Sequence, residues 1–169
     1  MDRHTSRACA AVIIRAATIL DARAIQALWN LAIRETLITF NSIEKSREDV
    51  EQAIESSKAM LVAEVGGTVI GYASFDQFRG GAGYARTAEH SIMLSPRARG
   101  RGAGRALMQR IEDEARTQGF HSMIAGVSGS NPLGEPFHAA IGYVTVGTIP
   151  QAGRKFDQWH DLVLMQKIL

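Results

Sequence analysis

The chain has 169 residues, of which 46% are hydrophobic and 21% are charged, and these values indicate one soluble globular domain with its own core. Its net charge of +2 gives no sign of a nucleic-acid partner, and a single cysteine, Cys9, excludes an internal disulfide. No apolar stretch is long enough to span a membrane, and residues 1–11 lack a signal-peptide core. We expect a disordered tail over residues 1–11 that contains an unreactive Cys9, a single domain over 12–169, and a cytoplasmic protein that does not bind membranes.

The first quarter of the chain predicts a short strand followed by two helices. Val12 to Arg15 are strand-like, and Asp21 is expected to cap the first helix. The apolar face of that helix recurs at helical spacing: Ile25, Leu28, Trp29 and Ala32. Ser46 and Asp49 are spaced as a capping box, which predicts a second helix through about Ser57.

A β-hairpin is predicted next. Met60 to Val65 and Val69 to Phe75 are strand-like, and Gly66-Gly67 between them suits a two-residue turn. A glycine-rich stretch over residues 80–83 is expected to form a flexible loop, either at the mouth of a site or as a connector only.

The second half of the chain alternates strands and helices. A strand over Ala88 to Leu94 leads into a glycine-rich turn and a helix to about Gln118, where Gly119 is the expected C-terminal cap. The remaining predicted elements are a strand over Met123–Val127, a short helix with Pro136 in its first turn, and strands over Tyr143–Ile149 and Trp159–Met165. This order predicts an α/β fold with a mixed, mostly antiparallel central sheet flanked by helices.

The turn over residues 99–104 has the chemistry of a phosphate site. Glycines allow a ligand to approach the backbone, and the first amides of a helix have no internal acceptor and attract anions. The dinucleotide fingerprint is excluded because Arg105 stands where its third glycine is needed. The phosphate loop of nucleotide triphosphatases is excluded because no Gly-Lys-Ser or Gly-Lys-Thr occurs.

The turn is instead similar to the R/Q-x-x-G-x-G/A motif of the GNAT superfamily of N-acetyltransferases. From Phe75 onward the chain also resembles the phosphinothricin and methionine sulfoximine N-acetyltransferases of that superfamily. The resemblance is carried by four segments in the family's order: residues 75–79, 84–92, 131–143 and 153–162. The first helix, around Asn30 to Thr36, is a further match. It spans nearly the whole chain.

The resemblance implies acetyl-CoA as the co-substrate, no metal, a small amino-acid-like amine as the acceptor, and a homodimer. It implies Glu89 and His138 as catalytic residues. The residues expected to bind acetyl-CoA are Ile92, Met93, Leu94, Arg99, Gly100, Arg101, Gly102, Ala103, Gly104, Arg105 and Asn131. The residues expected to bind the amine substrate are Arg79, Arg86, Phe40 and Tyr84.

The residue types in these places suit acetyl transfer to an amine. Glu89, beside an apolar strand, is expected to be partly desolvated and to act as the general base, directly or through water; the alternative is a surface glutamate at the start of a strand. His138 could protonate the leaving thiolate or could only pack near it. Strand alternation should turn His90 to the face opposite Glu89, where it is structural. The backbone N–H of Met93 or Leu94 is the implied oxyanion donor.

Other candidates have two interpretations. Asn131 could bind the pantetheine arm or cap a turn. Arg79 could bind the substrate carboxylate through its guanidinium or could be solvated, and Arg86 is the weaker candidate for the same role. Phe40 and Tyr84 could form walls of the pocket or belong to the core.

Four positions depart from the family pattern: Gly134 in place of serine, Pro136 in place of a helix former, Ala139 in place of glutamate, and Asp157 in place of glycine. They affect the expected shape around the thiol and the last hairpin.

Three other functions compete with amino-acid acetylation. The chain could acetylate a polyamine, an aminoglycoside or a protein N-terminus, but Arg79 and Arg86 favour an anionic acceptor. A sensor that only binds acyl-CoA would not need Glu89. A nucleic-acid binder would carry paired aromatic platforms beside its arginines, and none is found here. The five histidines show no metal-ligand spacing.

Overall fold

The computed structural model describes residues 11–169, so nearly all of the predicted tail, including Cys9, lies outside the described residues. The helices and strands are, in chain order, β1 (Ile13–Ala16), α1 (Ala22–Glu35), α2 (Arg47–Ser56), β2 (Ala59–Val65), β3 (Thr68–Gln77), β4 (Thr87–Leu94), α3 (Ala103–Thr117), β5 (Ser122–Ser128), α4 (Gly134–Ala140), β6 (Val144–Lys155) and β7 (Gln158–Ile168). This is the order expected from the sequence. In the described part of the chain, no helix is both long enough and apolar enough to cross a bilayer.

The strands form one sheet in the order β1-β2-β3-β4-β5-β7-β6. Every neighbouring pair is antiparallel except β4 and β5, which are parallel. The parallel pair is made by a crossover through α3, which packs on one face of the sheet. The predicted mixed, mostly antiparallel sheet is confirmed.

The two faces of the sheet are covered by different helices. On one face, α3 buries Leu107, Met108 and Ile111 against even-numbered side chains of β4 and odd-numbered ones of β5. On the other face, α1 and α2 bury Ile25 and Val50 against β2 and β3, together with Met93 of β4. Successive side chains of a strand point to opposite faces, so β4 presents one set of residues to each helical layer.

The helix starts show which capping predictions were right. Ser46 and Asp49 form the predicted capping box, with the Asp49 amide 3.1 Å from Ser46 Oγ and the Ser46 amide 2.8 Å from Asp49 Oδ2. Asp21 occupies the N-cap position of α1 as predicted, but its side chain makes no capping hydrogen bond to that helix. Its carboxylate instead accepts a bond from the Thr18 amide at 2.8 Å and two from the Arg15 guanidinium at 2.8 Å each. These contacts with Arg15 lower the pKa of Asp21 and join β1 to the turn before α1.

The last hairpin is longer than predicted. β6 continues to Lys155 through irregular pairing between Ile149 and Gly153, which the strand pattern does not reveal because Pro150 and Gly153 interrupt it. The turn consists of Phe156 and Asp157 at φ of 50° and 59°, the left-handed region required at both positions of a tight hairpin turn.

A cluster of buried aromatic and imidazole rings lies between β4, α4 and the start of β6. The His90 and His138 rings are stacked with centroids 5.1 Å apart, and the Tyr143 ring packs edge-on against both. His90 therefore faces away from Glu89, as expected. Burial lowers the pKa of His90 to about 3 and also lowers the pKa of His138, so both rings are neutral near pH 7.

This burial predicts that the protein loses stability in mild acid. Unfolded histidine has a pKa of about 6.5, so the unfolded state binds a proton below that pH while folded His90 stays neutral. The contribution of neutral His90 to the stability of the fold is complete above the pKa of unfolded histidine. It is lost as the pH falls toward the lower pKa of His90 in the folded protein. Between pH 7.5 and 5.0 the loss from His90 alone should be about 2 kcal/mol. Urea unfolding of His90→Phe at both pH values should show a smaller decrease than the wild type. His121→Gln, at an exposed histidine, is the control; an unchanged pH dependence in His90→Phe would contradict the assignment.

Candidate functional site

The central strands part in the middle of the sheet. β4 and β5 are paired only from Thr87–Ser122 to His90–Ala125. Beyond that point β4 stays paired with β3 as far as Leu94, while β5 stays paired with β7 as far as Ser128. A wedge therefore opens between them, and each strand presents an unpaired backbone edge to it.

The alternation of amides along β4 decides which N–H groups face this wedge. The amide of Ser95 donates to the Ile70 carbonyl at 2.8 Å, on the β3 side. Neighbouring residues of an extended strand direct their amides to opposite sides, so Leu94 directs its N–H into the wedge and Met93 directs its N–H toward β3. Ile92 faces the wedge as Leu94 does. Of the two expected oxyanion donors, the register favours Leu94.

The glycine-rich turn follows β4 at the open end of the wedge. Gly100 and Gly102 have φ of 69° and 70°, and a Cβ atom built on either would have no atom within 4 Å. Gly102 is the residue before α3, so the first amides of α3, from Ala103 onward, have no carbonyl acceptor within the helix. Gly104 serves packing instead, because a Cβ there would lie 2.9 Å from Leu94 Cδ1 and 3.1 Å from the Phe137 ring.

The arginines of this turn differ in their contacts. Arg105 donates to the Ala140 carbonyl at 3.2 Å and joins α3 to the end of α4. Arg101 donates through Nε to the Arg97 carbonyl at 3.0 Å, which steadies the turn before α3. Two of the arginines near the helix N-terminus thus have structural partners for their guanidinium groups.

Glu89 lies on the face of β4 that is covered by α1 and α2. Its Oε1 would lie 3.3 Å from a Cβ built on Gly126, so glycine in β5 leaves room for the carboxylate. Within residues 11–169 no cation pairs with Glu89, and partial burial raises its pKa. Asp76 stands directly opposite Glu89 on β3 and was not found from the sequence. Only the pairing register brings it there.

The hydrogen bonding of His138 defines its tautomer. Nδ1 lies 2.8 Å from the Gly134 carbonyl oxygen, which only accepts, so Nδ1 carries the hydrogen. In the neutral ring, Nε2 is then an acceptor. His138 can donate a proton from Nε2 only as an imidazolium, which burial disfavours.

The turn between β5 and α4 accounts for Asn131 and for one departure from the family pattern. Asn131 Oδ1 accepts from the Leu133 amide at 3.2 Å, which is the turn-capping role that sequence left open. A Cβ on Gly134 would lie 2.4 Å from Val127 Cγ1. Glycine at 134 is therefore set by the close packing of α4 on β5.

A recess of about 350 Å³ lies beside this turn, between the end of α1 and the last hairpin. It is lined by Glu35, Thr36, Leu37, Ile38, Ser130, Asn131, Pro132 and Phe156. Its lining is apolar and neutral polar except for the carboxylate of Glu35. We refer to it as the α1-end recess.

The expected substrate residues are spread over three places. Arg79 follows β3, with its guanidinium 5.3 Å from the Phe78 ring centroid, and Tyr84 packs edge-on against the same ring. Phe40 lies after α1 and stacks on His160. Arg86 is not brought to this site, because its guanidinium donates to the Gly119 carbonyl at 2.7 Å, at the end of α3 on the opposite face.

The sequence analysis missed Lys155. It belongs to the matched segment over residues 153–162, but its partners are 116 or more positions away in the chain and could not be inferred from local spacing. Among the described residues, no group of three or more histidine, cysteine, aspartate or glutamate side chains could hold a metal ion.

Comparison with known proteins agrees with this geometry. Residues 25–143 match the Acetyltransferase (GNAT) family. The L-amino acid N-acyltransferase MnaT of Escherichia coli K12 is 36% identical over 157 residues, covering 90% of this chain and 91% of that protein. The L-methionine sulfoximine/L-methionine sulfone acetyltransferase of Salmonella typhimurium LT2 is also 36% identical over 157 residues, covering 90% and 92%.

A solved structure agrees as well. The GNAT superfamily phosphinothricin acetyltransferase of Sinorhizobium meliloti, in complex with acetyl-CoA, has a TM-score of 0.89 at 30% identity, covering 94% of this chain and 88% of that chain. Two parallel strands part into a wedge, and a glycine-rich helix start lies at the mouth of that wedge. The matches to known proteins cover most of the chain. Together they show that this chain belongs to the GNAT acetyltransferase family.

Proposed function

We propose that this acetyl-CoA-dependent N-acetyltransferase acetylates the α-amine of a free amino acid with a neutral polar side chain. The observation that carries the proposal is the position of Glu89, next to the point where β4 and β5 part. Acetyl-CoA, when bound, supplies a thioester carbonyl in that wedge. The relatives named above as acting on amino acids support the choice of acceptor.

Glu89 is the proposed general base. It removes one proton from the substrate ammonium, directly or through water, so that the nitrogen lone pair can bond to the carbonyl carbon. The raised pKa of Glu89 suits this transfer, and its exposure lets the proton pass to solvent. The N–H of Leu94 is the proposed donor to the oxygen that becomes negative as the C–N bond forms.

The C–S bond then breaks, and the thiolate needs one proton. The second proton of the substrate nitrogen balances this step without a protein acid. His138 is a second possible donor, but its Nε2 carries a proton only in the imidazolium form. We therefore propose that neutral His138, whose buried Nε2 has no hydrogen-bond partner among the described residues, contributes little as an acid near neutral pH.

The α3 N-terminus is the proposed pyrophosphate site. The open space beyond Gly100 and Gly102 and the unpaired amides of the first turn of α3 support this role. Arg99 and Arg101 are the proposed sources of positive charge beside it. Asn131 keeps its Nδ2 group for the pantetheine arm, since Oδ1 is used within the turn.

The α1-end recess is the proposed site for the acceptor side chain. Its lining contains no cation, and its one ionisable side chain, Glu35, would repel an anion. A sulfone or sulfoximine is neutral and polar near pH 7, whereas a phosphinate is anionic. The lining therefore favours methionine sulfone or sulfoximine over phosphinothricin, with Arg79 proposed to bind the α-carboxylate.

Removing the base should abolish most of the activity. A general base typically contributes about 10²–10⁴-fold in rate, so kcat of Glu89→Gln should fall within that range. In the wild type, activity should decrease as the pH falls through the raised pKa of Glu89, because the carboxyl group then becomes protonated. The pH profile of kcat in the variant should lack this limb. Asp76→Asn is the matched control, since Asp76 faces the same side of the sheet one strand away. If Glu89→Gln kept most of its kcat and an unchanged profile, Glu89 would not be the base.

The acceptor assignment is tested with an amine panel and one variant. Release of free CoA should be fastest with methionine sulfone or sulfoximine, slower with phosphinothricin, and negligible with the decarboxylated amine. Losing a charge-assisted bidentate contact costs on the order of 2 kcal/mol, so Arg79→Ala should raise the amino-acid KM about 30-fold and leave the acetyl-CoA KM unchanged. Arg79→Lys should recover part of the loss. Equal turnover of the decarboxylated amine would exclude carboxylate recognition and with it the role of Arg79.

We also propose a cytoplasmic location, on the family resemblance. The same resemblance and the exposed edge of β6 lead us to propose a homodimer. Val144, Val146 and Ile149 are each about half exposed along this edge strand. An edge strand with apolar side chains favours pairing with another chain. Light scattering on the purified protein should give twice the 18.4 kDa chain mass, and Val146→Lys should shift the protein toward the monomer. A monomeric wild type at micromolar concentration would exclude the dimer.

A further inference from the structure

The loop over residues 36–45, between α1 and α2, is held by a lysine from the far end of the chain. Lys155 Nζ donates to the carbonyl oxygens of Thr36 at 2.7 Å, Thr39 at 2.8 Å and Ala32 at 3.4 Å. Three acceptors match the three hydrogens of an ammonium group. The carbonyls at the end of α1 and the start of the loop are thereby satisfied by the β6–β7 hairpin.

The same hairpin holds the middle of the loop by packing. The Phe40 ring stacks on His160 with centroids 5.8 Å apart and an interplanar angle of 16°. Phe40 also lies flat against Gly153, since a Cβ there would meet Phe40 Cδ2 at 2.1 Å. Glycine at 153 is therefore required by the position of Phe40.

His160 connects the hairpin to the turn after β5. Its Nε2 lies 3.0 Å from the Lys155 carbonyl oxygen, so Nε2 carries the hydrogen and Nδ1 accepts from Ser130 Oγ at 2.8 Å. Ser130 and Thr36 both line the α1-end recess. One connected set of contacts, through Lys155 and His160, thus joins these two lining residues.

Burying the charged ammonium group of Lys155 costs free energy that an uncharged side chain packed in the same place would not cost. Lys155 is 4% exposed, and within residues 11–169 no carboxylate lies within ion-pair distance of its Nζ. Its Nζ also lies 5.1 Å from the centroid of the Phe156 ring, a cation–π contact. Burying an ammonium without a carboxylate is costly, and an apolar side chain would fill the space more cheaply. The lysine instead determines where the loop lies.

We propose that Lys155 is a positioning residue for the acceptor amino acid. It holds the wall formed by Thr36, Leu37 and Ile38 at a fixed distance from Ser130 and Pro132, and so sets the width of the α1-end recess. Lys155 itself does not touch the acceptor, because its three hydrogens are taken by carbonyl oxygens. This inference rests on the proposed function, in which the recess receives the acceptor.

The test is a comparison of Lys155→Met with Lys167→Met. Lys167 is a matched control, because its Nζ also donates to a carbonyl, that of Ile141, and to Glu112, but on the other face of the sheet. In Lys155→Met the KM for the best amine of the panel should rise about 10-fold or more, with the acetyl-CoA KM within about twofold of the wild type. Hydrogen exchange of residues 36–41 should become faster. In Lys167→Met the thermal stability should fall, while the amine KM and the exchange of this loop stay unchanged.

Several outcomes would overturn the proposal. An unchanged amine KM in a folded Lys155→Met whose loop exchanges faster would show that the loop position does not matter for the acceptor. A parallel rise of both KM values would indicate general damage. If Lys155→Met does not fold, Gly153→Ala is used instead, because the added Cβ displaces Phe40 while Lys155 stays unchanged. Gly153→Ala should raise the amine KM selectively. An unchanged amine KM in this variant would count against the proposal.

Failure of the proposed function has a different signature. If the wild type prefers a polyamine or a peptide over every amino acid of the panel, the acceptor class is wrong. The role of Lys155 is then judged with that preferred amine by the same selective rise in KM. Loop exchange reports the positioning contact independently of any substrate.

Discussion

The site depends on the early end of pairing between two central strands. β4 and β5 share four residue pairs and then separate, because β5 stays with β7 while β4 stays with β3. Unpaired strand edges inside a sheet are costly unless another chain or ligand covers them. Here they form the two walls of a cleft, and Gly104 lets α3 pack close to Leu94 at its floor. The proposed acetyl-CoA site is therefore built mainly from backbone groups, which a change of side chain alters little.

Strand alternation separates the ionisable groups of β4 into two environments. Glu89 faces the side of α1 and α2, where partial exposure leaves it able to exchange protons and burial raises its pKa. His90 faces α3 and α4, where its ring stacks on His138 and full burial keeps it neutral. Adjacent residues in the chain thus serve the proposed reaction and the packing of the core respectively. A one-residue shift of β4 would exchange these environments, which ties the register of the sheet to the chemistry.

The sequence was sufficient to predict features that depend on neighbours in the chain. The order of strands and helices, the capping box at Ser46, the glycine turn before α3 and the opposite faces of Glu89 and His90 all follow from local spacing. Features that depend on particular tertiary contacts rather than on regular spacing could not be predicted. Asp21 binds Arg15, Arg86 binds the end of α3, and Gly134 is set by contact with Val127, none of which has a signature in spacing.

The acceptor side differs from the donor side in how it is held. The α1-end recess is bounded by a loop, a turn and a hairpin. The turn continues from the β5–β7 ladder, with the Gly129 amide donating to the Asp161 carbonyl at 2.9 Å. The loop is instead held to the hairpin by side-chain contacts. Asn30 accepts from the Lys45 amide at 2.8 Å and donates to its carbonyl at 3.0 Å, which fixes the far end of the loop. Lys155 fixes its start, and Phe40 fixes its middle. Since these contacts are few and specific, we expect single substitutions among them to change the selectivity of the proposed acceptor site while the proposed acetyl-CoA site, built from backbone groups, keeps its geometry.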